Sequence, residues 1–178
     1  MNFQDIKEKL LKSIEKLFSE DLYLIKNDIS ERAISHKLAA YLAPEFDEFD
    51  VDCEYNGYVN ADNDRKYIYI LKQKAEELDI IRDKDGDNEL IYRAVFPDII
   101  VHKRGHNTEE LNLLIIEMKK STSQTDGAYD EEKLSRYTSN DNENNLNYKL
   151  GAFIFIIIDK KEPIFTVNWY ADGARIDL

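Results

Sequence analysis

The strongest constraint on the fold of this chain is a pair of apolar segments, residues 94–103 and 111–120, separated by a short polar turn. Both contain aliphatic runs with no polar face, which is typical of strands buried on both sides of a sheet. The short turn predicts that the two strands pair. Each also carries an acid, Asp98 before the aliphatic run of the first strand and Glu117 after that of the second. An ionised carboxylate is costly in an apolar setting unless a cation or several donors meet it, so the two acids need a common explanation.

Length and composition predict a single globular domain over residues 1–178. The longest apolar runs are too short to span a bilayer, and the charged, amphipathic first residues do not resemble a secretory signal. The lone cysteine, Cys53, excludes an internal disulfide framework and a multi-cysteine zinc site. We therefore expect an intracellular, cytoplasmic protein that does not associate with a membrane.

The net charge of −12 limits how this chain can bind nucleic acid. Nonspecific affinity for DNA comes mostly from Lys and Arg side chains that neutralise phosphates, so a generic nucleic-acid coat protein is disfavoured. An enzyme that grips nucleic acid through metal ions and a local basic patch is compatible with this charge.

Hydrophobic periodicity divides the chain into helices and strands. Helices are predicted over residues 3–26, 29–42, 67–79 and 130–138, and strands over residues 51–55, 94–103, 111–120, 153–158 and 164–170, the last at an edge. This order predicts an α/β layer sandwich in which helices flank a central mixed β-sheet. The N-terminal helix carries an apolar stripe from Phe3 to Phe18, which packs on the core or on a second subunit, and we expect a homodimer.

The two acids and a neighbouring lysine suggest a metal site. Alternate residues of a strand share a face, so Glu117 and Lys119 lie on one side, and pairing of the strands brings Asp98 near Glu117. Two close carboxylates repel unless a hard cation lies between them, and Mg²⁺ or Mn²⁺ with oxygen ligands suits that position. The backbone carbonyl of Met118 is a candidate further ligand. Lys119 would orient a metal-bound water or stabilise charge on a phosphate, which suits phosphodiester hydrolysis.

The chain contains five D/E-x-K triplets, but only residues 117–119 close a buried strand and follow a strand that bears Pro97-Asp98. With this context, residues 28–158 resemble the PD-(D/E)XK nuclease superfamily. The resemblance implies a restriction-endonuclease-like fold and a metal-dependent nuclease, acting most often on DNA, with Mg²⁺ or Mn²⁺ as cofactor. It implies that Asp98 and Glu117 are metal ligands and that Lys119 positions the nucleophile.

The same resemblance implies a role for a glutamate on the helix before the first core strand. Glu31 matches that position and shares a helical face with Ile34 and Leu38, so it is a candidate for assisting metal binding. A purely local alternative stays open, because Asp28 and Glu31 have the spacing of a capping box at a helix start.

Four further residues are candidates for contacting nucleic acid. Many nucleases of this superfamily carry a Gln and a Tyr four residues apart on the helix after the E-x-K strand. Here Tyr137 matches the Tyr, and Lys133 stands in place of the Gln, which is a departure from that pattern. A phosphate contact suits this pair, and so does a solvated lysine beside a half-buried tyrosine. Lys103 and Arg104, near the turn between the paired strands, are candidates for contacting the backbone of a nucleic acid or belong to a solvated turn.

Two classes of function remain open. The first is the metal-dependent nuclease, with target recognition supplied by the chain itself or by a protein partner. The second is a catalytically inactive module of the same fold that serves binding or assembly, and the net charge of −12 favours it. Against the second class, all four key positions (Glu31, Asp98, Glu117 and Lys119) are filled.

Overall fold

The structure, a computed structural model, describes residues 1–58, 65–141 and 143–178 of the chain. Its helices are α1 (Phe3–Glu20), α2 (Leu22–Lys26), α3 (Glu31–Leu42), α4 (Lys72–Glu77) and α5 (Ala128–Tyr137), with a 3₁₀ turn at Asp83–Asp85. Its strands are β1 (Asp50–Cys53), β2 (Tyr67–Leu71), β3 (Leu90–Ala94), β4 (Ile99–His102), β5 (Asn112–Lys120), β6 (Leu150–Ile157), β7 (Ile164–Ala171) and β8 (Ala174–Ile176).

The main sheet has the strand order β1-β4-β5-β6-β7-β8. Strands β5 and β6 are parallel, with α5 as their crossover, and the other neighbours are antiparallel. The sheet is therefore mixed, as predicted, and helices flank it. The aliphatic runs of β4 and β5 are buried on both faces, which explains why they show no alternation of apolar and polar residues.

Apolar side chains from α1 and α3 cover one face of this sheet. Their stripes contain the buried residues Ile6, Leu10, Ile14, Leu17, Ile34, Leu38 and Leu42, which pack with Ile99, Leu114 and Ile116. The other face carries α5 and the two-stranded β2–β3 ribbon, whose buried residues pack against Ile100, Ile115 and Phe153. Glu117 therefore lies in β5 between two apolar layers.

Truncating one of the fully buried leucines to alanine should cost about 2–5 kcal/mol of unfolding free energy.

The structure corrects several predicted elements. The helix predicted over residues 3–26 is divided at Asp21 into α1 and α2. Residues Tyr67–Leu71 form strand β2 rather than a helix, because Ile68 and Ile70 alternate with outward-facing residues and pair with β3. The strand predicted over residues 94–103 starts at Ile99. The strand β7 does not lie at the edge of the sheet, because β8 pairs with it.

The apolar stripe of α1 is used inside the chain. Its buried residues pack on α3 and the sheet, so they are not available as a subunit interface. The expected homodimer therefore loses the surface on which it was based and, like a protein partner for target recognition, stays a prediction. In the described part of the chain, no helix is both long and apolar enough to cross a membrane.

Candidate active site

The pairing of β4 with β5 brings Asp98 and Glu117 together. Ile99 is paired with Ile116 in an antiparallel ladder. Asp98, which precedes Ile99, therefore lies opposite Glu117, which follows Ile116. The backbone N–H of Met118 donates a hydrogen bond of 2.7 Å to Asp98 Oδ2. This bond fixes the Asp98 carboxylate beside Glu117 and uses only one of its two oxygens.

Helix α5 supplies the other partners of Glu117. The Tyr137 hydroxyl donates to Glu117 Oε1 over 3.0 Å, and the Lys133 ammonium group lies 2.8 Å from Glu117 Oε2. Glu117 is only 2% exposed and Tyr137 is fully buried. In this arrangement Tyr137 cannot reach a nucleic acid, so it orients a carboxylate instead of contacting phosphate. The half-buried position proposed for Tyr137 is also wrong.

Asp130 is a site residue that the sequence analysis did not identify. Its Oδ1 lies 2.8 Å from the Lys133 ammonium group, and its Oδ2 lies 3.0 Å from that of Lys119. The Asp130 carboxylate therefore pairs with Lys119 at the end of β5 and with Lys133 on α5. The available signal was helical spacing, because positions 130, 133 and 137 share a face of a helix that follows the E-x-K strand.

Glu31 connects the start of α3 to the end of β5. Its Oε1 accepts a hydrogen bond of 2.9 Å from the backbone N–H of Lys120 and another from the Ser123 hydroxyl. The proposed capping box of Asp28 and Glu31 is wrong, because Ser30 is the N-cap and accepts from the Ala33 N–H. Glu31 thus stands at the same end of β5 as Lys119.

The electrostatics of the cluster indicate an excess of buried negative charge. Burial raises the pKa of Asp98 to about 6, against the opposing effect of the Met118 N–H. Burial, reinforced by the carboxylates of Asp98 and Asp130, raises the pKa of Glu117 to about 8, although the Lys133 ammonium opposes this. For Lys133, burial lowers the pKa, but the nearby Glu117 and Asp130 outweigh it and the net shift is upward. An additional cation at this position would favour the ionised form of both strand carboxylates.

The donor set is suited to a hard divalent cation. Asp98, Glu117 and Asp130 offer carboxylate oxygens, which are the ligands that Mg²⁺ and Mn²⁺ prefer. Among the described residues, no three His, Cys, Asp or Glu side chains are spaced to hold a metal ion. The Lys133 ammonium group instead lies between Glu117 and Asp130, where it supplies a positive charge. A metal ion that used these oxygens would have to displace Lys133 from them.

Two predicted nucleic-acid contacts lie away from this cluster. Arg104 follows β4 at the end opposite Asp98, and its guanidinium pairs with the Asp52 carboxylate. The Lys103 ammonium group lies 5.6 Å from the centre of the Phe49 ring. Because β4 and β5 are antiparallel, the turn that bears these residues lies at the opposite end of the two strands from Glu117. The structure therefore does not bring Lys103 and Arg104 to the site.

An open groove of about 530 Å³ borders the cluster on the α5 side. Lys119 and Asp130 line it, as do Glu77, Asp79 and Asp126 together with apolar and neutral residues. With four acids and one lysine, this groove repels a polyanion unless cations intervene.

The buried carboxylates predict an unusual dependence of stability on pH. Because the pKa of Glu117 is raised in the folded protein, folding takes up a proton between its ordinary pKa of 4.5 and about 8. The contribution of Glu117 to the stability of the metal-free protein should therefore be fully present below that window and be lost as the pH rises through it. Each unit of pKa shift corresponds to about 1.4 kcal/mol, so the loss should be on the order of a few kcal/mol.

Thermal unfolding in EDTA across this pH window measures the effect. Glu117→Gln keeps the side-chain shape and removes the titrating group, so its melting temperature should depend less on pH than that of the parent. Equal pH dependence in the two proteins would show that Glu117 does not carry a raised pKa.

Comparison with protein-family models, curated proteins and solved structures gives no match to this chain.

Proposed function

We propose that this protein is a metal-dependent nuclease that hydrolyses phosphodiester bonds, with DNA as the expected substrate. One observation carries the proposal: Asp98 and Glu117 are held together at the ends of paired strands, at raised pKa and beside the Lys119–Asp130 pair. Buried carboxylates with perturbed pKa values beside a groove are typical of functional sites.

The residues of the chain would divide the work of hydrolysis. Asp98, through its second oxygen, and Glu117 would hold Mg²⁺ or Mn²⁺, and the Met118 carbonyl remains a candidate ligand. A bound ion of this kind lowers the pKa of a coordinated water and neutralises charge on a phosphate. Lys119 would orient the attacking water or stabilise the phosphate oxygens. Glu31 would assist by fixing the end of β5 against α3.

The hydrogen bonds around the two carboxylates are suited to orienting metal ligands. The Met118 N–H holds one oxygen of Asp98, and the Tyr137 hydroxyl holds one oxygen of Glu117. Such outer partners fix the direction of a ligand and typically change metal affinity by roughly 10- to 100-fold when they are removed. In this proposal Tyr137 acts through Glu117, and Lys133 acts as a counter-charge within the site.

A cleavage assay tests the proposal directly. Linear duplex DNA, closed circular DNA, single-stranded DNA and RNA are incubated with the protein in Mg²⁺, in Mn²⁺ and in EDTA. We expect cleavage of at least one DNA substrate with a divalent cation and none in EDTA. Cleavage of the circle would identify an endonuclease, and cleavage of the linear forms alone would identify an exonuclease.

The matched control is the double variant Asp98→Asn/Glu117→Gln, which keeps the shapes and hydrogen-bond acceptors of the site. Cleavage by the parent at a rate that the variant reproduces would identify a contaminating nuclease and remove the support for the proposal. If the parent cuts none of the four substrates with either ion, the inactive binding or assembly module becomes the better description.

A further inference from the structure

A second groove, distinct from the one that Lys119 and Asp130 line, lies at the same end of β5 as the candidate active site. It has a volume of about 770 Å³ and is lined by Lys26, Asn27, Asp28, Thr122, Ile158, Asp159, Lys160 and Lys161. We refer to it as the lysine groove. Its walls come from the end of α2, the segment after β5 and the segment after β6.

The two acids of the lysine groove are already engaged. The Asp28 carboxylate lies 2.6 Å from the Lys120 ammonium group and accepts a hydrogen bond of 2.8 Å from the Thr122 hydroxyl. The Asp159 carboxylate accepts two backbone hydrogen bonds in its own turn, from the N–H groups of residues 161 and 162. The charge of Asp28 is therefore offset by Lys120, whereas Asp159 keeps its negative charge, so the three lysines of the groove exceed its uncompensated acids by two.

The three lysines of the groove are differently placed. Lys160 and Lys161 are exposed and Lys26 is half-buried. Among the described residues, none of their ammonium groups has a carboxylate within ion-pair distance, in contrast to Lys120. On a chain with a net charge of −12, this groove is a local positive surface.

The lysine groove and the candidate active site lie at the same end of β5 but on opposite faces of the strand, because Lys120 pairs with Asp28 and Lys119 pairs with Asp130. Strands β5 and β6 are parallel, so the segments that follow them leave from neighbouring carboxyl ends of the two strands. Lys120 links the two places directly: its ammonium group contacts Asp28 in the groove, and its backbone N–H donates to Glu31 at the site. A nucleic acid bound in the lysine groove would have to cross the C-terminal end of β5 to reach Lys119.

From this placement we infer that the lysine groove binds the backbone phosphates of the nucleic-acid substrate, with Lys26, Lys160 and Lys161 as the contacts. The inference rests on the proposed nuclease function for its choice of ligand. Ammonium groups recognise phosphates as point charges without reading sequence, so the groove would hold and orient the strand but not select it. It also gives a polyanionic substrate a way to approach an acidic protein, because the strand would come to Lys119 from the lysine groove and not along the groove lined by Glu77, Asp79 and Asp126.

Fluorescence anisotropy with a labelled DNA duplex tests this inference. Binding is measured in EDTA, so that no cleavage occurs, at a series of salt concentrations for the parent and for Lys160→Gln/Lys161→Gln. We expect the variant to bind about tenfold more weakly at low salt. Its plot of log affinity against log salt should be shallower by about two, because each lost phosphate contact removes about 0.9 from the slope. Lys26→Gln should reduce the slope by about one.

The control variant, Lys7→Gln/Lys149→Gln, removes the same total charge from two lysines that do not line the lysine groove. It should keep the parent affinity and slope. Equal losses in the two double variants would mean that only net charge matters, which overturns the lysine groove. No loss in Lys160→Gln/Lys161→Gln overturns it as well.

The binding and cleavage results are separable. A protein that cuts DNA while Lys160→Gln/Lys161→Gln binds normally is a nuclease with a different substrate path. A protein that cuts nothing but loses DNA affinity in this variant keeps the lysine groove and refutes the nuclease. A parent that does not bind DNA or RNA even at low salt refutes the groove.

Discussion

Lys119→Ala should lower the rate of cleavage by about a hundredfold or more while leaving the fold and metal binding intact. Loss of one positioning or charge-stabilising group in a transition state typically has this effect. Lys119 shares a strand face with Glu117, its side chain is 14% exposed, and its ammonium group lies 3.0 Å from Asp130. Burial lowers its pKa, but Asp130 outweighs that effect and the pKa is raised, so Lys119 is a cation at neutral pH. Single-turnover cleavage rates in Mg²⁺ measure the loss.

Lys7→Ala is the matched control for this prediction. Lys7 belongs to another D-x-K triplet, Asp5–Lys7, but it lies on α1 and donates to the Leu178 carbonyl. Surface substitutions of this kind usually change stability by about 0.5 kcal/mol or less, so the cleavage rate should equal that of the parent. If Lys119→Ala cuts as fast as the parent, the role given to Lys119 is wrong even if the protein is a nuclease.

The parts of the fold that were predictable from the sequence are those with strong local patterns. The strands β5 and β6 and the helices α3 and α5 were recognised, because uninterrupted aliphatic runs and helical periodicity leave few alternatives. Residues Tyr67–Leu71 were assigned to a helix because the run continues without a break into the real helix α4. Their strand conformation depends on pairing with β3, about 20 residues later, which a local pattern does not contain.

The candidate site was predictable only where strand geometry determines it. The proximity of Asp98 and Glu117 follows from the pairing of two adjacent strands, and the structure has it. Asp130 and the bridging position of Lys133 depend on how α5 packs over the sheet, so they required coordinates. Lys103 and Arg104 were grouped with the site because they are close in sequence. In an antiparallel pair, however, the connecting turn lies at one end of the two strands. Asp98 and Glu117 lie at the other end.

The position of Lys133 connects the two functional classes. Its ammonium group satisfies Glu117 and Asp130 in the metal-free protein, which lowers the cost of burying them. If that pairing is permanent, the cluster is a structural ion-pair network and the protein is a binding or assembly module. If a divalent cation displaces it, the same carboxylates become metal ligands. Direct measurement of metal binding therefore decides between the classes independently of substrate.

Asp98→Asn and Glu117→Gln should each lower the affinity for Mn²⁺ by about a hundredfold or more. Even the loss of an outer partner of a ligand typically costs roughly 10- to 100-fold, and these changes remove a charged ligand itself. Both substitutions keep an acceptor for the existing donors, the Met118 N–H for Asp98 and the Tyr137 hydroxyl for Glu117, so the fold should survive. Isothermal titration calorimetry at a pH above 8, where both acids are ionised in the parent, measures the affinity.

Lys133→Gln serves as the matched variant of opposite sign. It removes the ammonium group that competes for Glu117 and Asp130 while leaving a side chain of similar length, so Mn²⁺ should bind at least as tightly as in the parent. Tighter binding in Lys133→Gln together with weak binding in the two acid variants would place the cation between the strand carboxylates. Equal Mn²⁺ affinity in all four proteins would mean that the ion binds elsewhere. The Asp98–Glu117 pair would then have no metal to hold, and the hydrolytic mechanism built on it would fail.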